Sequence, residues 1–357
     1  MQQVLFRPFG IPIYGYGLML FFAFIGCSWL ARRMCKREGI DGKMIPDLAI
    51  CLFITGIVGG RIVYVAQYWE RNHFNVWFWN AWNDNAIVHV VSLWDGGLVL
   101  YGALFGGILG YFSFHHIMLR KQGVSHWKML DVIAPCVALG IAFGRIGCLF
   151  TGCCYGNVAC EACPAIHFPL PAGAWGEMVL RGHQSPFGFV MKGDTLEVLA
   201  VEPKSAADGI VEPGDVIVDI DGKEVRSQLD IWPTGGDLKL TVIRGGVETT
   251  LSPFTPTSIG VTPTQIFETI SMCLLLFFLV SYYPYKRHDG ELLVLFMFCY
   301  GVHRFLNEML RTDTKPVLFD LTLSQTISLG VLTIAAVLAV VVWRRPLIGA
   351  PAGAPTP

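Results

Sequence analysis

Seven stretches of this chain are each about twenty residues long and nearly free of charge, and they decide what the polypeptide can become. They cover about 11–31, 46–66, 96–118, 129–150, 264–284, 291–310 and 321–343. A bilayer core is about 30 Å thick and a helix rises about 1.5 Å per residue, so ~20 apolar residues cross it. Inside hydrocarbon every backbone polar group needs a partner within the protein, which leaves helices or closed barrels. The ten-residue alternating segments of a barrel are not present. Composition agrees: 53% of the 357 residues are hydrophobic and 15% charged, where soluble domains carry about 25% charge. These figures exclude a disordered chain and a small disulfide scaffold. A net charge of −1 leaves no electrostatic footprint for nucleic acid. The first span follows Arg7 and has no small-residue cleavage site, so it reads as a retained helix. The expected fold is an all-α polytopic membrane protein with seven transmembrane helices and one small β-rich insert.

Loop charge orients the spans. Arg32, Arg33, Lys36, Arg37 and Lys43 follow the first, Arg120, Lys121 and Lys128 the third, Lys286 and Arg287 the fifth, and Arg344 and Arg345 the seventh. The opposite side has Arg7, Arg71, Arg311 and Lys315. Positive residues stay in the cytoplasm, which predicts the N-terminus outside and the C-terminus inside. Residues 151–263 then face outward, and they hold 14 Asp/Glu against 7 Lys/Arg. The Pro/Ala/Gly-rich tail, 346–357, reads as disordered. The aromatic-rich loop 69–85 reads as an interfacial belt element.

The outward segment divides into a cysteine-containing connector, 158–183, and a soluble-type insert, 184–254. Residues 195–201 and 238–244 alternate as strands do. Residues 203–225 predict a short helix, a Gly-punctuated turn and a strand pair. This run resembles a PDZ domain of the bacterial periplasmic-protease type, with Pro186-Phe187-Gly188-Phe189 at its carboxylate-binding loop. The resemblance implies a peptide or protein ligand added as an edge strand. After Val225, however, Pro233 and Gly235 permit only a short second helix, and a spacer or dock is the alternative. Spans one to four then occupy 1–157, and spans five to seven 255–345.

Charge inside hydrocarbon costs about 2.5–3.5 kcal/mol per residue and marks function by default. Arg61, Arg145, Glu268, Arg304 and Glu308 stand inside the expected spans, and Arg61 lies near enough to an end to snorkel. Tyr300, Arg304 and Glu308 fall at i, i+4 and i+8, a single stripe on a helix. The bland reading of that stripe is a self-neutralising ion pair. Arg145 lies among Gly140, Gly144, Gly147, Gly152 and Gly156, which either pack helices or leave room for a headgroup. Gly102, Gly106 and Gly110 repeat the small-residue spacing, and Gln265 and Glu268 sit one turn apart.

Taken together, the blocks Tyr16-Gly17-Leu18-Met19, Gly96 to Gly102, Gly144-Arg145-Ile146-Gly147 through Cys154-Tyr155-Gly156, Pro263 to Glu268, Tyr300-Gly301 with Arg304-Phe305 and Glu308, and Leu323-Ser324-Gln325 resemble the prolipoprotein diacylglyceryl transferase family. They run in family order along nearly the whole chain outside the insert. The resemblance implies seven spans in a bacterial cytoplasmic membrane with the insert outside. The implied partners are phosphatidylglycerol and a pre-lipoprotein bearing a lipobox cysteine. The implied reaction moves diacylglyceryl to that thiol, forming a thioether and glycerol-1-phosphate. It marks Arg145, Arg304, Glu308, Tyr101 and Tyr16 as catalytic. It marks Tyr300, Gly102, Gln265, Glu268 and Arg61, with the two arginines again, as substrate-binding.

The residue types suit this chemistry. A guanidinium grips phosphate with two parallel hydrogen bonds and keeps its charge in a dry site. Charge placed where a leaving phosphate develops its own stabilises the transition state. A free thiol has a pKa of about 8.5, so a base or a positive field must raise its thiolate fraction. Many family members carry histidine where Tyr101 stands, asparagine where Cys148 stands and histidine where Thr262 stands. Tyr101 reads here as a hydrogen-bonding anchor, with the arginine field activating the thiol.

The 11 cysteines call for no cofactor. Cys27, Cys35, Cys51, Cys136, Cys273 and Cys299 read as apolar filler. Cys153, Cys154, Cys160 and Cys163, with His167, have half a zinc spacing and lack the second pair. An oxidising location favours disulfides among them, and no metal site is expected. Rival functions are an intramembrane protease, for which none of the nine histidines forms H-E-x-x-H, and a non-catalytic relative that binds lipid or lipoprotein.

Overall fold

Long apolar helices are the largest described elements, accompanied by small antiparallel sheets. The computed structural model describes residues 4–6, 13–68, 99–160, 162–169, 173–192, 195–225, 236–311, 316–318 and 320–348. The helices are α1 (Gly15–Arg37), α2 (Ile45–Gln67), α3 (Leu100–Phe114), α4 (His126–Thr151), α5 (Gly173–Leu180), α6 (Thr264–Tyr282), α7 (Glu291–Glu308) and α8 (Leu323–Trp343). Among the described residues, six helical segments are long and apolar enough to cross a membrane: Gly15–Arg37, Gly42–Gln67, Tyr101–Gln122, His126–Thr151, Thr264–Tyr285 and Leu323–Trp343. The expected span at 291–310 is helical too, but α7 has 18 residues and carries Glu291, Arg304 and Glu308. The expected loop 69–85, the Gly96–Gly97–Leu98 entry and the tail 349–357 lie outside the described residues.

The chain forms two compact units. One comprises residues 24–137, 282–293 and 341–357. Within it α2 and α3 approach closely, because a Cβ on Gly106 would stand 2.1 Å from the Thr55 carbonyl oxygen and one on Gly102 2.4 Å from that of Gly59. The repeated glycines of the third span are therefore packing residues. The same unit buries an ionic cluster: Lys286 pairs with Glu38 and reaches Asp131 at 3.3 Å. Asp131 also accepts the backbone N–H groups of Gly290, Leu292 and Leu293 at 2.8, 3.0 and 3.2 Å. It thereby satisfies donors that the first turn of α7 would otherwise leave orphaned.

The other unit comprises 1–23, 138–281 and 294–340 and includes the insert. A β-rich core of Phe187, Phe189, Val198, Ile217, Leu240 and Val242 is buried there. Strands β1 (Val4–Phe6) and β2 (Ile13–Tyr14) pair at the N-terminus. In the insert β3 (Phe189–Met191) pairs with β4 (Val198–Val201), and β5 (Val216–Ile220), β6 (Lys223–Glu224), β7 (Leu240–Arg244) and β8 (Val247–Thr250) form an antiparallel sheet ordered β6-β5-β7-β8. Gly245 and Gly246, at φ 58° and 84°, supply the left-handed turn that a two-residue hairpin needs. Both strands read from 195–201 and 238–244 are present, shortened at their N-terminal ends. The short helix expected within 203–225 is instead a run of turns, with Ala207 accepting from Ile210 and Val211. Pro203, Gly209, Pro213 and Gly214 punctuate the turns and keep a helix from propagating. The short second helix that the PDZ resemblance implies after Val225 falls at 226–235, outside the described residues.

One ion pair anchors the insert's sheet. Arg244 grips the buried Asp215 carboxylate through Nε at 2.8 Å and Nη2 at 2.7 Å. Burial pushes the Asp215 carboxyl up, but the Arg244 hydrogen bonds and the Glu212 N–H outweigh it and hold it below its usual 3.8. A depressed folded-state pKa stabilises fully above the unfolded value and is lost as pH falls through the folded one. Replacing Arg244 by Met strands a buried charge, at a cost of about 3–5 kcal/mol. Hydrogen exchange on the full chain should therefore quicken in 216–220 and 240–244 on this substitution. In the unaltered chain the same segments should lose protection only below about pH 4.

Candidate functional site

The site grows from the way α4 ends. Gly152, at φ 72°, takes the left-handed conformation that terminates a helix. The Cys153 N–H turns back to the Cys148 carbonyl at 3.1 Å and the Gly152 N–H to that of Leu149 at 3.3 Å, a Schellman closure. The reversal brings Cys153 and Cys154 alongside Cys148, with the three sulfur atoms within 4.8 Å of one another. Cys160 and Cys163 form a disulfide further along the loop, with a Cα–Cα distance of 5.0 Å.

Loop and helices are then tied together. Thr264 Oγ1 donates to the Cys154 carbonyl at 2.7 Å, and Gln265 Nε2 to that of Cys153 at 2.7 Å. Both residues begin α6. The Gly156 N–H donates to the Thr262 carbonyl at 2.8 Å, and Asn157 N–H to that of Leu310 at 3.0 Å. A Cβ on Gly156 would stand 2.8 Å from the Leu310 oxygen, so the family block's last glycine is a close-approach residue. Tyr16, from α1, lies over Gly147, where a Cβ would meet its ring at 2.7 Å.

One turn into α6, Glu268 is fully buried, and Arg145 Nε meets its Oε2 at 3.0 Å. Asn307 Nδ2 donates to the same oxygen at 3.0 Å. Asn307 lies on α7 one turn from Arg304, whose Nη2 reaches Glu308 Oε2 at 2.9 Å and Ser324 Oγ at 2.9 Å. Thr322 Oγ1 donates to Glu308 Oε1 at 3.2 Å. His303 stands within electrostatic range of Glu268, Arg304 and Arg145 at once. Among the described residues, Arg304 Nη1, Glu268 Oε1, Gln265 Oε1 and His303 Nε2 are buried without a hydrogen-bond partner. Buried polar atoms left unpaired cost about 1–3 kcal/mol each.

Of the predicted site residues, Arg145, Gln265, Glu268, Tyr300, Arg304 and Glu308 come together with Tyr16 in one unit. Tyr300 stacks on Phe296 with ring centroids 5.6 Å apart and lies within electrostatic range of Arg145. Arg61, Tyr101 and Gly102 belong to the other unit. There Arg61 is buried over the Tyr64 ring, 5.1 Å from its centroid, instead of snorkelling, and Tyr101 is exposed in the first turn of α3. The Arg304–Glu308 pair exists, as the bland reading of the stripe requires, but Arg304 also serves Ser324. Sequence reasoning missed His303, Asn307 and Cys148 as members of the site. Their signal was position: His303 and Asn307 lie one residue from Arg304 and Glu308 on a membrane helix, where polar side chains are rarely idle.

The family model for prolipoprotein diacylglyceryl transferase matches residues 3–342. A phosphatidylglycerol–prolipoprotein diacylglyceryl transferase from Rhodopirellula baltica is 29% identical over 94% of this chain and 74% of that relative. One from Clostridium tetani is 28% identical over 92% of this chain and 93% of its own length. One from Thermosynechococcus vestitus is 36% identical over 41% of this chain and 49% of its own length. With its matched residues running almost end to end, the chain belongs to the prolipoprotein diacylglyceryl transferase family.

Proposed function

We propose that this protein transfers the diacylglyceryl group of phosphatidylglycerol to the lipobox cysteine of a pre-lipoprotein. It works as an enzyme of a bacterial cytoplasmic membrane, with seven spans, the N-terminus outside and the insert on the outer side. The observation that carries the reading is the chain of contacts Arg145–Glu268–Asn307, which ends one turn from Arg304. Two cations on separate helices are thereby held to one neighbourhood, and His303 senses both.

The thiol sulfur attacks the glycerol carbon that bears the phosphate. A C–S bond forms, the C–O bond to phosphate breaks, and glycerol-1-phosphate leaves carrying the thiol proton. Negative charge builds on the departing oxygens, which is where the arginines act. Glu268 engages Nε of Arg145, which leaves the two Nη groups to fork onto a phosphate. Arg304 Nη1, buried and unpaired among the described residues, supplies a further donor. Glu308, Ser324 and Asn307 position rather than react. Tyr16 and Tyr300 wall the site, and Gln265 holds the cysteine loop in register. His303, whose Nε2 is buried without a hydrogen-bond partner among the described residues, accepts the thiol proton and returns it to the phosphate. Arg61 and Gly102 shape the α2–α3 pair, and the PDZ-like insert, 184–254, docks a peptide or protein.

Lysine keeps the charge of arginine but not the fork. Arg145→Lys should therefore lower kcat/KM at least ~100-fold in a labelled-lipid transfer assay while the protein is still made and inserted. Unchanged turnover would remove the assignment. Deleting 184–254 should leave transfer to a short lipobox peptide within about threefold of the full chain, since the anionic-headgroup chemistry lies outside the insert. Total loss would place the insert in the active site.

A further inference from the structure

The cysteine cluster has no role in the chemistry above, and its geometry is specific. Cys148, Cys153 and Cys154 place three sulfur atoms within 4.8 Å of one another. A zinc ion with Zn–S bonds of ~2.3 Å sets its sulfurs about 3.8 Å apart, so sub-ångström side-chain movement closes the set. Cys153 Sγ donates to the Cys148 carbonyl oxygen at 3.7 Å.

The backbone is distorted to make this cluster. Cys154 has φ 59°, a conformation that costs a non-glycine residue about 1–3 kcal/mol and persists where surrounding structure enforces it. The enforcement is visible: Gly152 closes the helix, while Gln265 and Thr264 hold the carbonyls of Cys153 and Cys154. Packing alone would not need a strained cysteine, since glycine or asparagine fits that position without strain. Cys160 and Cys163 are committed to each other, so the cluster has three thiols and no fourth.

We propose that Cys148, Cys153 and Cys154 bind one zinc ion whose fourth position receives the substrate cysteine thiol. This rests on the transferase reading and adds to its proton acceptor, His303, a ligand that lowers the thiol's hold on its proton. Three protein ligands with one open position are the mark of a catalytic rather than a structural zinc site, and a thiol on zinc is deprotonated outright. Three thiolates and zinc leave one net negative charge, and the incoming thiolate adds another. Arg145 and Arg311, both within electrostatic range of Cys154, offset them. The balance of the reaction is unchanged. The thiol proton passes to His303, the zinc-bound sulfur forms the C–S bond, the C–O bond breaks, and the phosphate ester leaves with the proton. The thioether, a weaker ligand than a thiolate, then departs from zinc. No oxidant or reductant is required.

The test uses the full chain in lipid nanodiscs, loaded with zinc and passed through a weak chelator, with bound metal measured by mass spectrometry. The native chain should keep one zinc ion. Cys148→Ser, Cys153→Ser and Cys154→Ser should each keep under about a tenth of that, since every ligand is needed, and Cys273→Ser should keep all of it. In the cobalt(II)-loaded protein a lipobox peptide should shift the visible bands, and its Cys→Ser analogue should not. Absence of retained zinc, equal retention after all three are replaced, an unmoved cobalt spectrum, or cluster cysteines found paired as a disulfide in active enzyme would each overturn the proposal. Full transfer by metal-free protein also overturns it and leaves the transferase reading intact. Zinc retention and a cobalt shift without transfer by any form would support the thiol site and defeat the transferase reading instead.

Discussion

A carboxylate buried in the middle of apolar helices must find positive charge or give up its own. Glu268 resolves this by engaging Arg145 and Asn307 through a single oxygen. The arrangement fixes three helices at once: α4 through Arg145, α6 through Glu268 and α7 through Asn307. A buried pair of this type adds little net stability compared with apolar packing, but losing one partner costs about 3–5 kcal/mol. Its value lies in specificity. The cost of every misregister of α7 against α6 includes an unpaired Glu268, so the register that places Arg304 near the same neighbourhood is enforced.

The ends of the helices complete the device. Gly152 stops α4 and turns the chain back, Gly156 lets the loop pass the end of α7, and Thr264 and Gln265 bind the loop's carbonyls at the start of α6. The loop is thus held by hydrogen bonds at both its flanks, and the three thiols keep their place beside Arg145. Rigid support of this sort is what a site acting through preorganised charge requires.

The helical architecture was legible because twenty-residue apolar runs have few alternatives in water or lipid. Arg145, Glu268 and Arg304 were legible for the converse reason, that charge in such runs is costly and therefore kept for use. The insert's strands showed through two-residue alternation, whereas its turn-rich run at 203–211 was misread as helix, since short segments take their form from tertiary contacts more than from propensity. Arg61, near enough to a span end to snorkel, lies buried over Tyr64. Three-dimensional neighbours of the arginines were the least readable. No spacing rule connects Cys148 with Cys154 until Gly152 reverses the chain, and the partner of Asn307 is visible only when α7 lies against Glu268.

Central to the account is that Arg145 and Arg304 act on one anionic headgroup as a unit. Single-turnover transfer from labelled phosphatidylglycerol, compared among the native chain, Arg145→Lys, Arg304→Lys and the double substitution, measures this directly. Residues acting together lose their contributions together, so the double variant should be no more than about threefold slower than the slower single one. If the two effects instead multiply as independent losses, or if Arg304→Lys transfers at the native rate, the arginines do not share a substrate and the account is wrong.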